Sequence, residues 1–133
     1  TVLVYYVQEA ENADIKINID IALPNEISIK DADLTVLFGN LIENAIDACE
    51  NVQKDKRSIE LKIHRPNAGS IVFSIDNTFD GNIKMSGNKF LSTKQNGSGI
   101  GIESAKYVVE KYNGDMKIEI NDNKFCVSGV LLQ

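Results

Sequence analysis

Apolar residues alternate with polar ones in several stretches of this chain and recur at helical spacing in two others, and that contrast lays out the elements. Ile15, Ile17, Ile19 and Ile21 alternate with Lys16, Asn18 and Asp20, the pattern of a half-buried strand that Pro24-Asn25 ends. Ile59, Leu61 and Ile63 form a second alternating run and Ile71, Phe73 and Ile75 a third, joined through Arg65-Pro-Asn-Ala-Gly69 as a hairpin of antiparallel neighbours. Between the first two runs the period changes. From Asp33 to Glu50 the positions Leu34, Leu37, Phe38, Leu41, Ala45 and Ala48 make one apolar helical stripe, with Asp31 or Asp33 placed to cap it. A second helix is expected from about Gly101 to Asn113, with Ile102, Ala105, Val109 and Tyr112 inward and Gly114 as its stop. Met116, Ile118 and Ile120 open a last hairpin that turns at Asn121-Asp-Asn-Lys124 and returns through Phe125, Val127 and Val130. The stretch from Val2 to about Glu11 fits either a short helix or a strand. Residues 80–99 lose all periodicity in Gly, Asn, Ser and Lys, a loop long enough to be functional or disordered. The order of strand, helix, two strands, loop, helix and two strands predicts an α+β fold: a two-layer sandwich whose mixed, mostly antiparallel sheet is covered on one face by helices.

A chain of 133 residues with 43% hydrophobic content is one domain, spanning 1–133, large enough to bury roughly two thirds of its unfolded surface. A net charge of −5 gives no support to nucleic-acid or anionic-membrane binding. No apolar run reaches the roughly 20 residues of a membrane span, and no signal-peptide layout is present. Cys49 and Cys126 lie in apolar segments without metal-type spacing, so two buried thiols in a reducing compartment are expected. The opening Thr1-Val-Leu-Val, without Met, points to a domain taken from something longer.

Three patches carry chemistry. On the first helix Asn40, Glu43, Asn44 and Asp47 share an arc of roughly 100° that contains no basic residue. A solvated face gains from mixed charge pairs; amide and carboxylate oxygens alone suit a hydrated Mg2+, which takes few protein oxygens and completes its shell with water and phosphate. The helix by itself is equally consistent with an acidic face. Next, Asn96-Gly97-Ser98-Gly99-Ile100-Gly101 stands where the long loop meets a helix. Spaced glycines let the backbone approach a phosphate, and a helix start offers free N–H groups. A plain flexible hinge has the same composition, and a Rossmann site is disfavoured because the glycines do not close a strand. The third patch, Asp76-Asn77-Thr78-Phe79-Asp80-Gly81, ends a buried strand, where an amide or carboxylate can receive the amino group of a purine or simply form an Asx turn.

Taken together, Asn40-Leu-Ile-Glu43-Asn44-Ala-Ile-Asp47-Ala resembles the N box, Asp76-Asn77-Thr78 with Gly81 the G1 box, and Gly97-Ser-Gly99-Ile100-Gly101 the G2 box of the GHKL ATPase superfamily, in the same order and with a lid-like loop between the last two. The resemblance runs from about Ile15 to Leu132. Gly39-Asn-Leu-Ile-Glu-Asn-Ala-Ile-Asp-Ala-Cys-Glu50, with Phe90-Leu-Ser-Thr-Lys94 before the glycines, is most similar to the catalytic domains of sensor histidine kinases of the peptide quorum-sensing receptor type, with citrate-type sensor kinases next.

The resemblance implies a Bergerat-type fold binding ATP and Mg2+, with residues 80–99 as the ATP lid and residues 1–12 as the tail of a dimerisation helix. It implies that Asn44 ligates the metal, that Asn40 supports the metal or phosphates, and that Asp47 faces the nucleotide on the same helix. Glu43 then orients or deprotonates the incoming nucleophile. Adenine is read by Asp76 or Asn77, the quorum-sensing pattern favouring Asn77, with Gly81 completing the box. Gly97, Gly99, Ile100 and Gly101 wrap the triphosphate, and Lys94 with Thr93 reaches its end. Two departures matter: Asp47 stands where many histidine kinases carry a phosphate-binding Lys, which shifts that load to Lys94, and Thr78 replaces the usual first G1 glycine. The implied activity is transfer of the γ-phosphoryl group to a histidine on a separate dimerisation and phosphoacceptor domain, for relay to a response regulator. The implied parent is homodimeric and anchored in the cell membrane, with this domain in the cytoplasm. His64, the only histidine, reads as an outward strand residue and not as the acceptor. The rival readings are a non-catalytic or anti-sigma-type GHKL regulator and, third, a gyrase- or chaperone-type ATPase. The ATPases carry a Glu base one turn before the metal Asn, where this chain has Asn40.

Overall fold

The computed structural model describes residues 2–81, 84–86, 89–91 and 100–133. The element order is α1 (Val2–Asn12), β1 (Lys16–Ala22), α2 (Asp31–Cys49), β2 (Ser58–Asn67), β3 (Ser70–Thr78), β4 (Lys84–Ser86), β5 (Lys89–Leu91), α3 (Ile100–Lys111), β6 (Asp115–Asn121) and β7 (Lys124–Leu132). Five strands form one sheet in the order β1-β2-β3-β7-β6; β1 pairs with β2 in parallel and every other pairing is antiparallel. The expected α+β two-layer sandwich with a mixed, mostly antiparallel sheet is therefore what the chain forms. The stretch at 2–12 is a helix, and within the long segment β4 pairs with β5 as a short hairpin that periodicity did not reveal.

Alternation explains the layers. Ile59, Leu61 and Ile63 on β2, Ile71, Phe73, Ile75 and Asn77 on β3, and Phe125, Val127 and Leu131 on β7 are buried on one face, the one the helices cover. On β7 the core position is Leu131 and not Val130, because strand periodicity carries Phe125 and Val127 on to Gly129 and Leu131. Gly129 leaves room for Phe73, whose ring would lie 2.5 Å from a Cβ at that position, and Phe73 in turn meets Phe38 of α2 edge to face at 5.6 Å. On β1 the burial fades. Ile15, just before the strand, is buried, but Ile19 and Ile21 are 36% and 39% exposed, since β1 is an edge strand.

The helix ends are held differently from the expectation. Neither Asp31 nor Asp33 caps α2 with its side chain. Asp33 instead accepts hydrogen bonds from the Tyr112 hydroxyl and from Lys111 Nζ at the far end of α3, tying the two helices together. The turn after α3 is a Schellman-type close: Asn113 takes the left-handed conformation at φ 55°, and Gly114 N donates to Val109 O at 2.9 Å. Gly114 serves close approach, since a Cβ there would lie 1.8 Å from Val130 O.

Candidate functional site

Helix α2 and strand β3 run side by side in the same direction. Phe38 packs on Phe73 at one end, and Cys49 Sγ lies 3.5 Å from Thr78 O at the other. Eleven helical residues and five strand residues each advance about 16 Å, so helix and strand stay in step over that span. Thr78, the residue in place of the G1 glycine, fastens this corner: its Oγ1 accepts from Ser58 N at 3.0 Å and meets Cys49 Sγ at 3.6 Å. Burial pushes the Cys49 thiol up, which suits a packing group.

The polar stripe of α2 divides between two neighbours. Asn40 faces the start of α3: a Cβ placed on Gly101 would lie 3.5 Å from Asn40 O and 3.7 Å from Asn40 Oδ1. Asn40 Nδ2 donates to Val36 O at 2.7 Å, which commits the amide nitrogen to its own helix and leaves Oδ1 as the acceptor toward that cleft. Asn44, one turn on and half-buried, has a carboxamide with no hydrogen bond to another described residue. Glu43 lies on the other side, where Tyr6 Oη of α1 donates to Glu43 Oε1 at 2.6 Å. Asp47 is half-buried and lines an open groove of about 330 Å3 between α1 and α2, together with Glu9, Glu43 and Glu50. Four carboxylates and two tyrosines line that groove, and it is a different place from the cleft between Asn40 and Gly101.

At the end of β3 the two adenine candidates part company. Asn77 points into the helix-covered layer and is 2% exposed, its Nδ2 donating to Thr78 O at 2.9 Å. Asp76 points to the opposite, open face of the sheet, beside Cys126, whose thiol is pushed up to about 11 by burial and by the Asp76 carboxylate. Cys126 is thus half-buried on the open face, a correction to the expectation of two thiols within the core, while Cys49 is buried as expected. Gly81 has φ 88°, the left-handed conformation that favours glycine, just after Phe79 N docks on Asn123 O at 2.9 Å. His64 is an exposed strand residue, 3.3 Å from Asp20 on β1. Thr93, Lys94, Gly97 and Gly99 lie outside the described residues; Ile100 and Gly101 open α3. Among the described residues no three His, Cys, Asp or Glu side chains converge on a metal position.

A family model described as a GHKL domain matches residues 29–133. This chain belongs to the GHKL domain family. Solved structures similar to this GHKL domain include a mycobacterial sensor histidine kinase, MprB, with TM-score 0.73 at 16% identity over 98% of this chain and 93% of that one. The catalytic domain of histidine kinase ThkA superposes with TM-score 0.74 at 18% identity over 98% and 87% of the two chains. The histidine kinase AdeS of Acinetobacter baumannii gives 0.70 at 12% identity over 98% of this chain and 60% of that one. No curated protein sequence matches this GHKL domain. At these identities the neighbours establish the fold: it is that of histidine kinase catalytic domains. No helix among the described residues is long and apolar enough to cross a membrane.

The contact of Tyr6 with Glu43 went unnoticed in the sequence. Tyr5-Tyr6 in an apolar run was the available signal, yet without a settled helix at 2–12 nothing aimed it at Glu43.

Proposed function

We propose that this GHKL domain is the ATP-binding catalytic domain of a sensor histidine kinase, holding Mg-ATP and presenting the γ-phosphoryl group to a histidine on a dimerisation and phosphoacceptor domain. The observation that carries this is the approach of Gly101, at the N-terminus of α3, to Asn40 Oδ1 on α2. An uncommitted amide oxygen and the N–H groups of a new helix then border one cleft, a pairing of metal-side acceptor and anion-side donors. The donor set fits Mg2+: Asn44 and Asn40 supply neutral oxygens, and water and phosphate complete the shell. When bound, the metal neutralises charge on the transferring group, and the rest of the catalysis is positioning. Asn77 receives the adenine amino group in the helix-covered layer. Gly97, Gly99 and Gly101 follow the triphosphate, and Lys94 with Thr93 meets its end. Glu43 is exposed on the side of α2 that faces α1. A response regulator would take the phosphoryl group onward, and the parent kinase would be a homodimer at the cell membrane.

Calorimetric titration of the 133-residue chain with ATP, with and without Mg2+, tests the reading. Uptake should strengthen with the metal, Asn44→Ala should abolish that gain, and hydrolysis by the isolated domain should be slow. Binding indifferent to Mg2+, or a wild-type response from Asn44→Ala, would refute the assignment; rapid hydrolysis would favour an ATPase.

A further inference from the structure

Strand β1 pairs on one side with β2, and its other edge is open. Its seven residues, Lys16–Ala22, run without bulge or proline. On the helix side of the sheet they present Ile17, Ile19 and Ile21 with no charge among them, Ile19 36% and Ile21 39% exposed. Lys16 N donates to Arg57 O at 3.0 Å, so the even-numbered residues bond toward β2 and the N–H and C=O groups of Ile17, Ile19 and Ile21 point out from the free edge. The opposite edge, β6, is guarded: Asp115 Oδ1 accepts from Met116 N at 3.0 Å, and Lys117 pairs with Glu119 at 2.8 Å. On the open face of β1, Lys16 has no charged partner among the described residues, and Asp20 lies 3.3 Å from the exposed His64.

We propose that the free edge of β1 is a self-association surface whose occupant is β1 of a second copy of this chain, antiparallel and centred on Asn18. Residues that exchange N–H···O bonds across an antiparallel pair stand opposite one another, so the outward-pointing odd residues must face odd residues. Centring on Asn18 sets Ile17 against Ile19 of the second copy and, on the open face, Lys16 against Asp20 of the second copy, each contact made twice by the two-fold axis. The neighbouring registers lose this match. Centring on Ile17 sets Lys16 against Asn18, centring on Ile19 sets Asp20 against Asn18, and centring on Asp20 brings two like carboxylates face to face. The axis stands perpendicular to the sheet, so the two five-stranded sheets become one continuous sheet with all helices on the same side. A single pair of short strands buries less than a standard interface, which makes the association weak and dependent on concentration. The cleft between Asn40 and Gly101 lies on α2 and α3, and the pairing uses neither helix, so the inference stands apart from the kinase reading.

The test is sedimentation equilibrium of the 133-residue chain, which packs around a single core. Concentrations run up to about 1 mM, the effective concentration that a short flexible linker gives two tethered domains. The unmutated chain should dimerise as concentration rises. Lys16→Glu and Asp20→Lys each turn two attractive pairs into two repulsive ones and should each weaken the dimer about thirtyfold. An equimolar mixture of the two variants places opposite charges across every pair again and should dimerise like the unmutated chain. General repulsion cannot mimic this, since Asp20→Lys makes the chain less negative and would strengthen the dimer on that ground. Register is read separately. Asn18 faces itself in a non-hydrogen-bonded pair with Cα atoms about 4.5 Å apart, within disulfide reach, so Asn18→Cys should give a disulfide-linked dimer under oxidised glutathione. Asp20→Cys, which faces Lys16, should cross-link no more than the unmutated chain. A chain that stays monomeric throughout the range leaves the edge to a strand of another protein or to solvent, and overturns the proposal. Dimers that survive both charge reversals, a mixture that fails to recover, or equal cross-linking through positions 18 and 20 would overturn it as well.

Discussion

Gly101→Ala separates the stability of this fold from its proposed chemistry, because the two should move in opposite directions. Gly101 is the second residue of α3 and does not have positive φ, so an L residue fits its backbone. The new methyl would stand 3.5 Å from Asn40 O and 3.7 Å from Asn40 Oδ1, ordinary van der Waals contacts that require no shift. Replacing a compatible glycine by alanine stabilises by about 0.4–1 kcal/mol through the unfolded chain. For a domain of this size that raises the melting temperature by about 2 °C. The same methyl, however, occupies the space in front of Asn40 Oδ1, where a phosphate oxygen or a metal-bound water would stand. Losing one charge-assisted contact costs about 2 kcal/mol, equal to a roughly thirtyfold weaker Kd for Mg-ATP. Thermal unfolding without nucleotide and calorimetric titration of Mg-ATP read the two effects independently. A variant that melts below the wild type would contradict the packing around Gly101, and one that binds Mg-ATP as tightly as the wild type would remove the cleft from the nucleotide site.

Further outcomes follow from the same geometry. Asn77→Ala should weaken ATP binding about tenfold and Asp76→Ala by no more than about twofold, because Asp76 faces the open side of the sheet; the reverse ranking by calorimetry would move the adenine contact to Asp76. The Tyr112 hydroxyl, then Lys111, hold the Asp33 carboxyl below the usual carboxylate range. The unfolded chain therefore binds the proton first, and this contribution is present above about pH 4 and lost as the pH falls through the folded value. Urea unfolding across pH 3–6 should accordingly show a shallower acid loss in Asp33→Asn, and an unchanged slope would disprove the coupling. Gly114→Ala should destabilise by about 3 kcal/mol or more, since its Cβ would meet Val130 O at 1.8 Å and backbone cannot yield as a side chain can. Wild-type stability of that variant in denaturant would refute the turn.

Much of this protein was legible in one dimension because the signals concerned are local. Period-two alternation at Ile59–Ile63 and Ile71–Ile75 and the helical stripe from Leu34 to Ala48 fixed elements and layers, since burial on one face imposes its repeat directly on the chain. Spacing also brought Asn40, Asn44 and the 96–101 segment to notice, because metal and phosphate sites demand particular residue types near a helix. What spacing left open was direction. One residue of register at the end of β3 separates Asp76 on the open face from Asn77 in the covered layer, and either reading satisfies the motif. Asp33 looked like a cap and became a tie to Tyr112, because an acid near a helix start goes to whichever donor the fold brings nearest. Val130 gave its place in the core to Leu131, a choice made by pairing with β3.

The amino-acid order alone determined which segments are helix and strand over most of the chain, and which of them carry the candidate amides and glycines. Only the packed structure decided that the polar arc of α2 is shared out, Asn40 to the start of α3 and Glu43 to Tyr6 of α1. The reason is physical: a helix fixes the angle between its own side chains, whereas the partner each one meets is set by neighbours up to tens of residues away, whose positions follow from burying the core as a whole.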